Sequence, residues 1–150
     1  MKASKVGTTE AQLHALFLYE SYSRGAFFQA YYPIVGVGMN AATLHYNKNN
    51  APLRTETDLV LVDAGCELDC YASDITRCFP VGGKFSPEAR VIYSIVLDMQ
   101  KVRFKTTSEC KMECIINHLY TFRLVLLLVR LALPGKKSTT LLAELHVMVF

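Results

Sequence analysis

Residues 59–80, LVLVDAGCELDCYASDITRCFP, decide how this chain folds. The apolar run at 59–62 suits a β-strand. From Tyr71 onward, Tyr71, Ser73, Ile75 and Arg77 alternate with Ala72, Asp74, Thr76 and Cys78, which has a strand's period of two. Residues 65–70 connect the two runs, so the segment reads as a β-hairpin. A turn centred between Leu68 and Asp69 sets Asp63 directly opposite Asp74. Side chains opposed in this way have Cβ atoms about 4.5–5.5 Å apart, and like charges there destabilise a sheet. Two carboxylates held together among apolar strands need a shared proton or a bound cation, because each desolvated charge costs several kcal/mol on its own. Hard oxygen ligands suit Mn²⁺, Mg²⁺, Ca²⁺ or Zn²⁺. The plainer reading has one aspartate capping the turn and the other meeting Arg77 or Arg54 at the surface.

Coarser signals surround the hairpin. Residues 9–23 read as an amphipathic helix, with Leu13, Leu16, Phe17 and Glu20 at helical spacing and Gly25 as terminator. Residues 30–37 and 41–46 read as strands joined around Gly38 to Asn40, and residues 47–57 as a polar loop. Ser86 is a good N-cap with Pro87 at the first helical position. It opens a helix through about Gln100 with Ala89, Ile92, Tyr93, Val96 and Met99 on its apolar face. Helix, strands, hairpin and helix give an α+β order.

The wider stretch, AYYPIVGVGMNAATLHYNKNNAPL at 30–53 followed by LVLVDAGCELDCYASDITRCFPVGGKFSPEAR at 59–90, resembles the aminopeptidase P and prolidase metallopeptidases, most of all the fungal Xaa-Pro aminopeptidases. The resemblance runs from about residue 3 to residue 100. It implies a partial pita-bread catalytic domain. It also implies two metal ions, usually Mn²⁺ though other divalent ions serve, held in part by Asp63 and Asp74. His45 in TLHY would line the active site without being a principal metal ligand. An imidazole can donate a hydrogen bond to substrate or move a proton near neutral pH. Without the resemblance, a histidine satisfied by a strand carbonyl is the commoner reading of His45.

The family's remaining ligands, one histidine and two glutamates, are expected beyond Phe150, and an amino-terminal domain before Met1. Glu144 and His146 do not match the family segment that carries the ligand histidine. The chain therefore reads as a fragment, incomplete at both ends, with little or no peptidase activity of its own. Residues 1–100 hold eight Lys or Arg and ten Asp or Glu, a net of −2, whereas residues 101–150 hold eight and three, a net of +5. That break divides a metallopeptidase part, 1–100, from a divergent, apolar and basic segment, 101–150. The change of character suggests a misread gene, such as a retained intron.

The expected function is that of a hydrolase releasing the amino-terminal residue from peptides with proline second. The alternatives are a prolidase acting on Xaa-Pro dipeptides, or a non-catalytic fragment acting by binding. Proline-containing peptides are the expected partners, and nucleic acid is not. The apolar run at 124–129 is flanked by Arg123 and Arg130, which argues against stable membrane insertion. Its exposed apolar surface would favour association, with a homodimer as one outcome. Five cysteines, Cys66, Cys70, Cys78, Cys110 and Cys114, form an odd set outside any small secreted scaffold, which favours free thiols and the cytoplasm. A four-thiolate zinc site would need four of them to converge.

Overall fold

The computed structural model describes residues 1–106. Helix α1 (Glu10–Tyr22) begins where the sequence supplies a reciprocal cap: Thr9 Oγ1 accepts from Gln12 N, and Gln12 Oε1 accepts from Thr9 N at 2.9 Å. The chain turns away from it through Gly25, whose φ of +89° few other residues adopt, with the Gly25 amide donating to the Tyr22 carbonyl at 3.0 Å. Of the four expected face residues only Leu13 is buried. The face that meets the rest of the molecule runs instead through Glu10, Leu13, Phe17 and Ser21, also at helical spacing, so a buried acid takes part in the packing.

Two three-stranded antiparallel sheets follow. The larger joins β2 (Ile34–Val37), β3 (Leu59–Ala64) and β6 (Ile75–Pro80), with β3 in the middle. The smaller joins β1 (Phe28–Gln29), β4 (Cys66–Leu68) and β5 (Tyr71–Ala72). The run at 59–62 is apolar throughout because both faces of β3 are covered. Leu59 and Leu61 pack with Ile34, Cys78, Ala41 and Tyr46 beneath α2 (Pro87–Thr106), while Val60 packs with Val35, Val37, Phe79 and Leu13 beneath α1. Val35, Val60 and Leu61 are wholly removed from solvent. Burying such a side chain stabilises a fold by about 1.5–3 kcal/mol.

Three expectations change here. The hairpin turn lies one residue later than expected. Asp69 and Cys70, with φ of 51° and 66°, form its two central positions, the signature of a type I′ turn. The register therefore opposes Asp63 to Thr76, not to Asp74. An aspartate tolerates a left-handed backbone, but without a following glycine the turn gives no strong sequence signal. The second arm is also not one strand, since it breaks at Ser73 and Asp74 between β5 and β6.

The strand expected over 41–46 does not form either. Gly38–Ala42 is a 3-10 helix, followed by a turn in which Tyr46 N donates to Thr43 O at 3.3 Å. The chain doubles back tightly here. A Cβ on Gly36 would stand 2.9 Å from Ala41 Cα, and Gly38 has φ of +55°.

Helix α2 starts as expected. Ser86 Oγ accepts from Ala89 N at 3.2 Å, and Ala89, Ile92 and Val96 face the sheet. Tyr93 leaves that face to stack on Phe85, with ring centroids 4.8 Å apart, and Met99 is half exposed. The helix continues to Thr106, past the change in charge at residue 101. Among the described residues no helix is long and apolar enough to cross a membrane, and the apolar run at 124–129 lies outside them.

Candidate active site

Residues of odd number along β3 share one face, so Asp63 continues the line of Leu59 and Leu61 to the end of the strand, where helix cover gives out. It remains 7% exposed. Two residues from its partner Thr76, Asp74 lies on the same face, diagonal to Asp63 across the hairpin. Tyr31 joins them. Its phenol oxygen is 2.5 Å from Asp63 Oδ1 and 2.7 Å from Asp74 Oδ1, so one hydroxyl proton serves two carboxylates. Burial, followed by the hydrogen bonds to both acids and their charges, holds the phenol protonated far above its usual range.

The loop that carries Tyr31 is tied to the hairpin by the Ala30 amide, which donates to the Gly65 carbonyl at 3.1 Å. Gly65 also has to be a glycine. A Cβ there would lie 1.8 Å from the Ser73 carbonyl oxygen and 3.1 Å from the Tyr31 ring, in the space that lets residues 73 and 74 cross over the end of β3. Ser73 secures the crossing. Its Oγ accepts from Cys66 N at 3.1 Å and donates to Cys66 O at 3.0 Å.

Both acids open onto a cavity of about 700 Å³. Tyr31, Tyr32, Ile34, His45, Tyr46 and Asn47 line the rest of it. His45 is exposed at this rim with φ of 53°, a left-handed conformation that histidine adopts more often than most residues. All three residues singled out from sequence thus line one cavity. Tyr31 and Gly65 were not singled out. The signal for Gly65 was its place directly after a strand end. Tyr31 carried none beyond standing two residues before Pro33.

The donor set can be tested against a metal. Two carboxylates converging on a single proton present hard oxygen atoms and like charge at a cavity wall, which suits a hard divalent cation. Among the described residues no group of three or more His, Cys, Asp or Glu side chains is placed to hold an ion. Asp63 and Asp74 converge as a pair of oxygen donors, with no third such side chain grouped with them among the described residues. Of the cysteines, Cys66, Cys70 and Cys78 are free thiols; Cys110 and Cys114 lie outside the described residues. Burial pushes the Cys78 thiol up to about 12, as befits an inert packing side chain.

Comparison with known proteins gives this geometry a context. The profile of metallopeptidase family M24 matches residues 1–115. A probable Xaa-Pro aminopeptidase of Phaeosphaeria nodorum is 54% identical over 101 residues, which is 67% of this chain and 22% of that protein. One from Pyricularia oryzae is 61% identical over 93 residues, 61% of this chain and 18% of that protein. Among solved structures, proline aminopeptidase P II of Yersinia pestis superposes with a TM-score of 0.62 at 50% identity, over 64% of this chain and 22% of that one. A variant of Escherichia coli aminopeptidase P gives 0.65 at 43% identity, over 67% and 22%. The chain thus spans about a fifth of the length of these relatives. It belongs to metallopeptidase family M24, and its α+β architecture is part of the pita-bread fold of aminopeptidase P.

Proposed function

We propose that this chain carries part of the active site of a Xaa-Pro aminopeptidase, with Asp63 and Asp74 as carboxylate ligands to divalent metal, Mn²⁺ foremost, and His45 at the rim facing the substrate. The observation that supports this reading best is the convergence of the two aspartates on one phenol oxygen, at 2.5 and 2.7 Å. When bound, a pair of divalent ions supplies Lewis-acid polarisation of a peptide carbonyl and a more acidic water. Asp63, nearly buried at the end of a packed strand, offers a fixed oxygen. Asp74, on the irregular crossing at 73–74, offers one whose position depends on Gly65 and Ser73. Tyr31 holds its proton between them and orients both. Tyr32, Ile34 and Tyr46 give the cavity the apolar and aromatic lining that a proline ring would meet, and the His45 imidazole can donate to a substrate carbonyl or carry a proton at the rim.

Taken alone, the chain is expected to bind metal and to turn over little peptide, because the donors among the described residues stop at two carboxylates. The free thiols Cys66, Cys70 and Cys78 support a reducing compartment, the cytosol. Calorimetric titration of Mn²⁺ into the 150-residue chain tests the metal assignment. Binding should be lost in Asp63→Asn and in Asp74→Asn, and equal binding by either variant would refute the assignment. A peptide with proline second, set against an Xaa-Pro dipeptide, then separates aminopeptidase from prolidase wherever turnover is measurable.

A further inference from the structure

Glu10 is a buried carboxylate that the metal assignment does not use. It stands at the first position of α1 and has no solvent exposure. Its Oε1 accepts from the amide of Val37 at 2.8 Å and from Asn40 Nδ2 at 3.0 Å. Its Oε2 accepts from the Tyr46 hydroxyl and from the amide of Ala51, both at 2.8 Å. Asn40 Nδ2 also reaches the Tyr46 oxygen at 3.0 Å, which closes a ring of three side chains. One carboxylate therefore fixes the end of β2, the 3-10 helix, and both ends of the stretch from Tyr46 to Ala51.

His45 stands just outside that stretch, one residue before Tyr46. Its backbone is left-handed and it lines the cavity, so its placement there follows from where Tyr46 is anchored. Tyr46 is buried while its neighbours on either side are exposed, which makes it the pivot of the loop. Burial, and after it the hydrogen bond to and charge of Glu10, pushes its phenol up to about 12, so it remains a donor at neutral pH.

We propose that Glu10 is a positioning residue for the active site: acting through Tyr46, it sets the His45 imidazole at the rim of the cavity that holds Asp63 and Asp74. This rests on the metal reading above for its functional meaning, though not for its geometry. A glutamine at position 10 keeps the shape but has one acceptor oxygen, so it cannot serve all four donors. Tyr46→Phe removes the link toward His45, with the Asn40 and Asn50 bonds to the same hydroxyl, and leaves the bonds that Glu10 accepts from Val37, Asn40 and Ala51 in place.

The test is carried out on the 150-residue chain labelled with ¹³C and ¹⁵N in histidine. The His45 ring signals are followed by NMR, first without metal and then with Mn²⁺ as paramagnetic probe. In both Glu10→Gln and Tyr46→Phe the His45 signals should shift and broaden without metal, and should lose most of the relaxation that saturating Mn²⁺ induces. A tie that was merely structural would lower the melting temperature and leave the His45 signals where they were. That result in folded Tyr46→Phe overturns the proposal even if Glu10→Gln does not fold. Failure of the unmodified chain to bind Mn²⁺ would sink the metal reading, and the metal-free signals would still decide the role of Glu10.

Discussion

Glu10, on α1 beside β2, and the Asp63–Asp74 pair, at the end of β3, are both carboxylate sites flanking the larger sheet, and they are built in opposite ways. Glu10 is one charge met by four donors, sealed from water and backed by helix and loop. At the other site two charges meet over one hydroxyl proton at the wall of an open cavity. A buried charge that is fully hydrogen-bonded holds structure together, because removing it strands its donors. Two like charges sharing a proton are held together at a cost that a cation can relieve.

The contrast is broken most severely at Glu10. Glu10→Ala removes the acceptor of the buried Val37 amide and the part-buried Ala51 amide, and one bond each from Asn40 Nδ2 and the Tyr46 hydroxyl. At about 1–3 kcal/mol for each stranded group, a loss of at least about 3 kcal/mol in urea unfolding is expected. A loss under about 1 kcal/mol would mean that water replaces the carboxylate. Leu61→Ala, at the fully buried centre of β3, is a yardstick of pure packing and should cost about 2–5 kcal/mol in the same assay.

Tyr31→Phe should destabilise the metal-free chain by roughly 1.5–3 kcal/mol, the range for hydrogen bonds to charged groups. Saturating Mn²⁺ should recover part of that through binding to the folded state. Recovery equal to that of the unmodified chain would show that the phenol does not bear on the metal. Gly65→Ala should weaken Mn²⁺ binding by about 10–100-fold, the range for loss of a supporting contact around a metal, because the Ser73–Asp74 crossing must move away.

The last effect expected is confined to alkaline pH. The Tyr46 phenol titrates near 10.0 when unfolded and at about 12 when folded, so the folded chain keeps a proton that the unfolded chain has released. The stabilisation is complete below the unfolded value and is lost as pH rises from 10 to 12. Tyr46→Phe should flatten that limb of the stability profile, and Tyr31, shifted in the same direction, should account for what remains.

Sequence periodicity gave β3, the start of α2 and the existence of the hairpin, because each rests on local chemistry: an apolar run, Ser86 before Pro87, and alternation after Tyr71. It also brought Asp63 and Asp74 to one place. The register was a residue out because Asp69 and Cys70 make a left-handed turn without the usual glycine. The aspartates still converge, diagonally and through Tyr31, since two residues along a strand return to the same face. The strand expected over 41–46 failed for a tertiary reason. Ala41 and Ala42 pack, but on a 3-10 helix folded back over Gly36, and Leu44 is left exposed. Glu10 was illegible because a lone glutamate in the first turn of a helix reads as a surface charge. Only the contacts from residues 37, 40, 46 and 51 reveal it as buried.

One consequence concerns β2, which pairs with β3 along one side only. The amides on its other side, those of Val35 and Val37, are taken by Asn49 Oδ1 at 2.9 Å and Glu10 Oε1 at 2.8 Å, and Asn49 Nδ2 returns a bond to the Pro33 carbonyl at 2.7 Å. Two side chains thus imitate the hydrogen-bonding groups of an absent fourth strand. An open sheet margin is a template on which other molecules can align and aggregate, and this one is already filled from within the chain. The Val35 and Val37 amides should accordingly be among the last to exchange with deuterium, and the loop that carries the cavity rim also guards the sheet against growth.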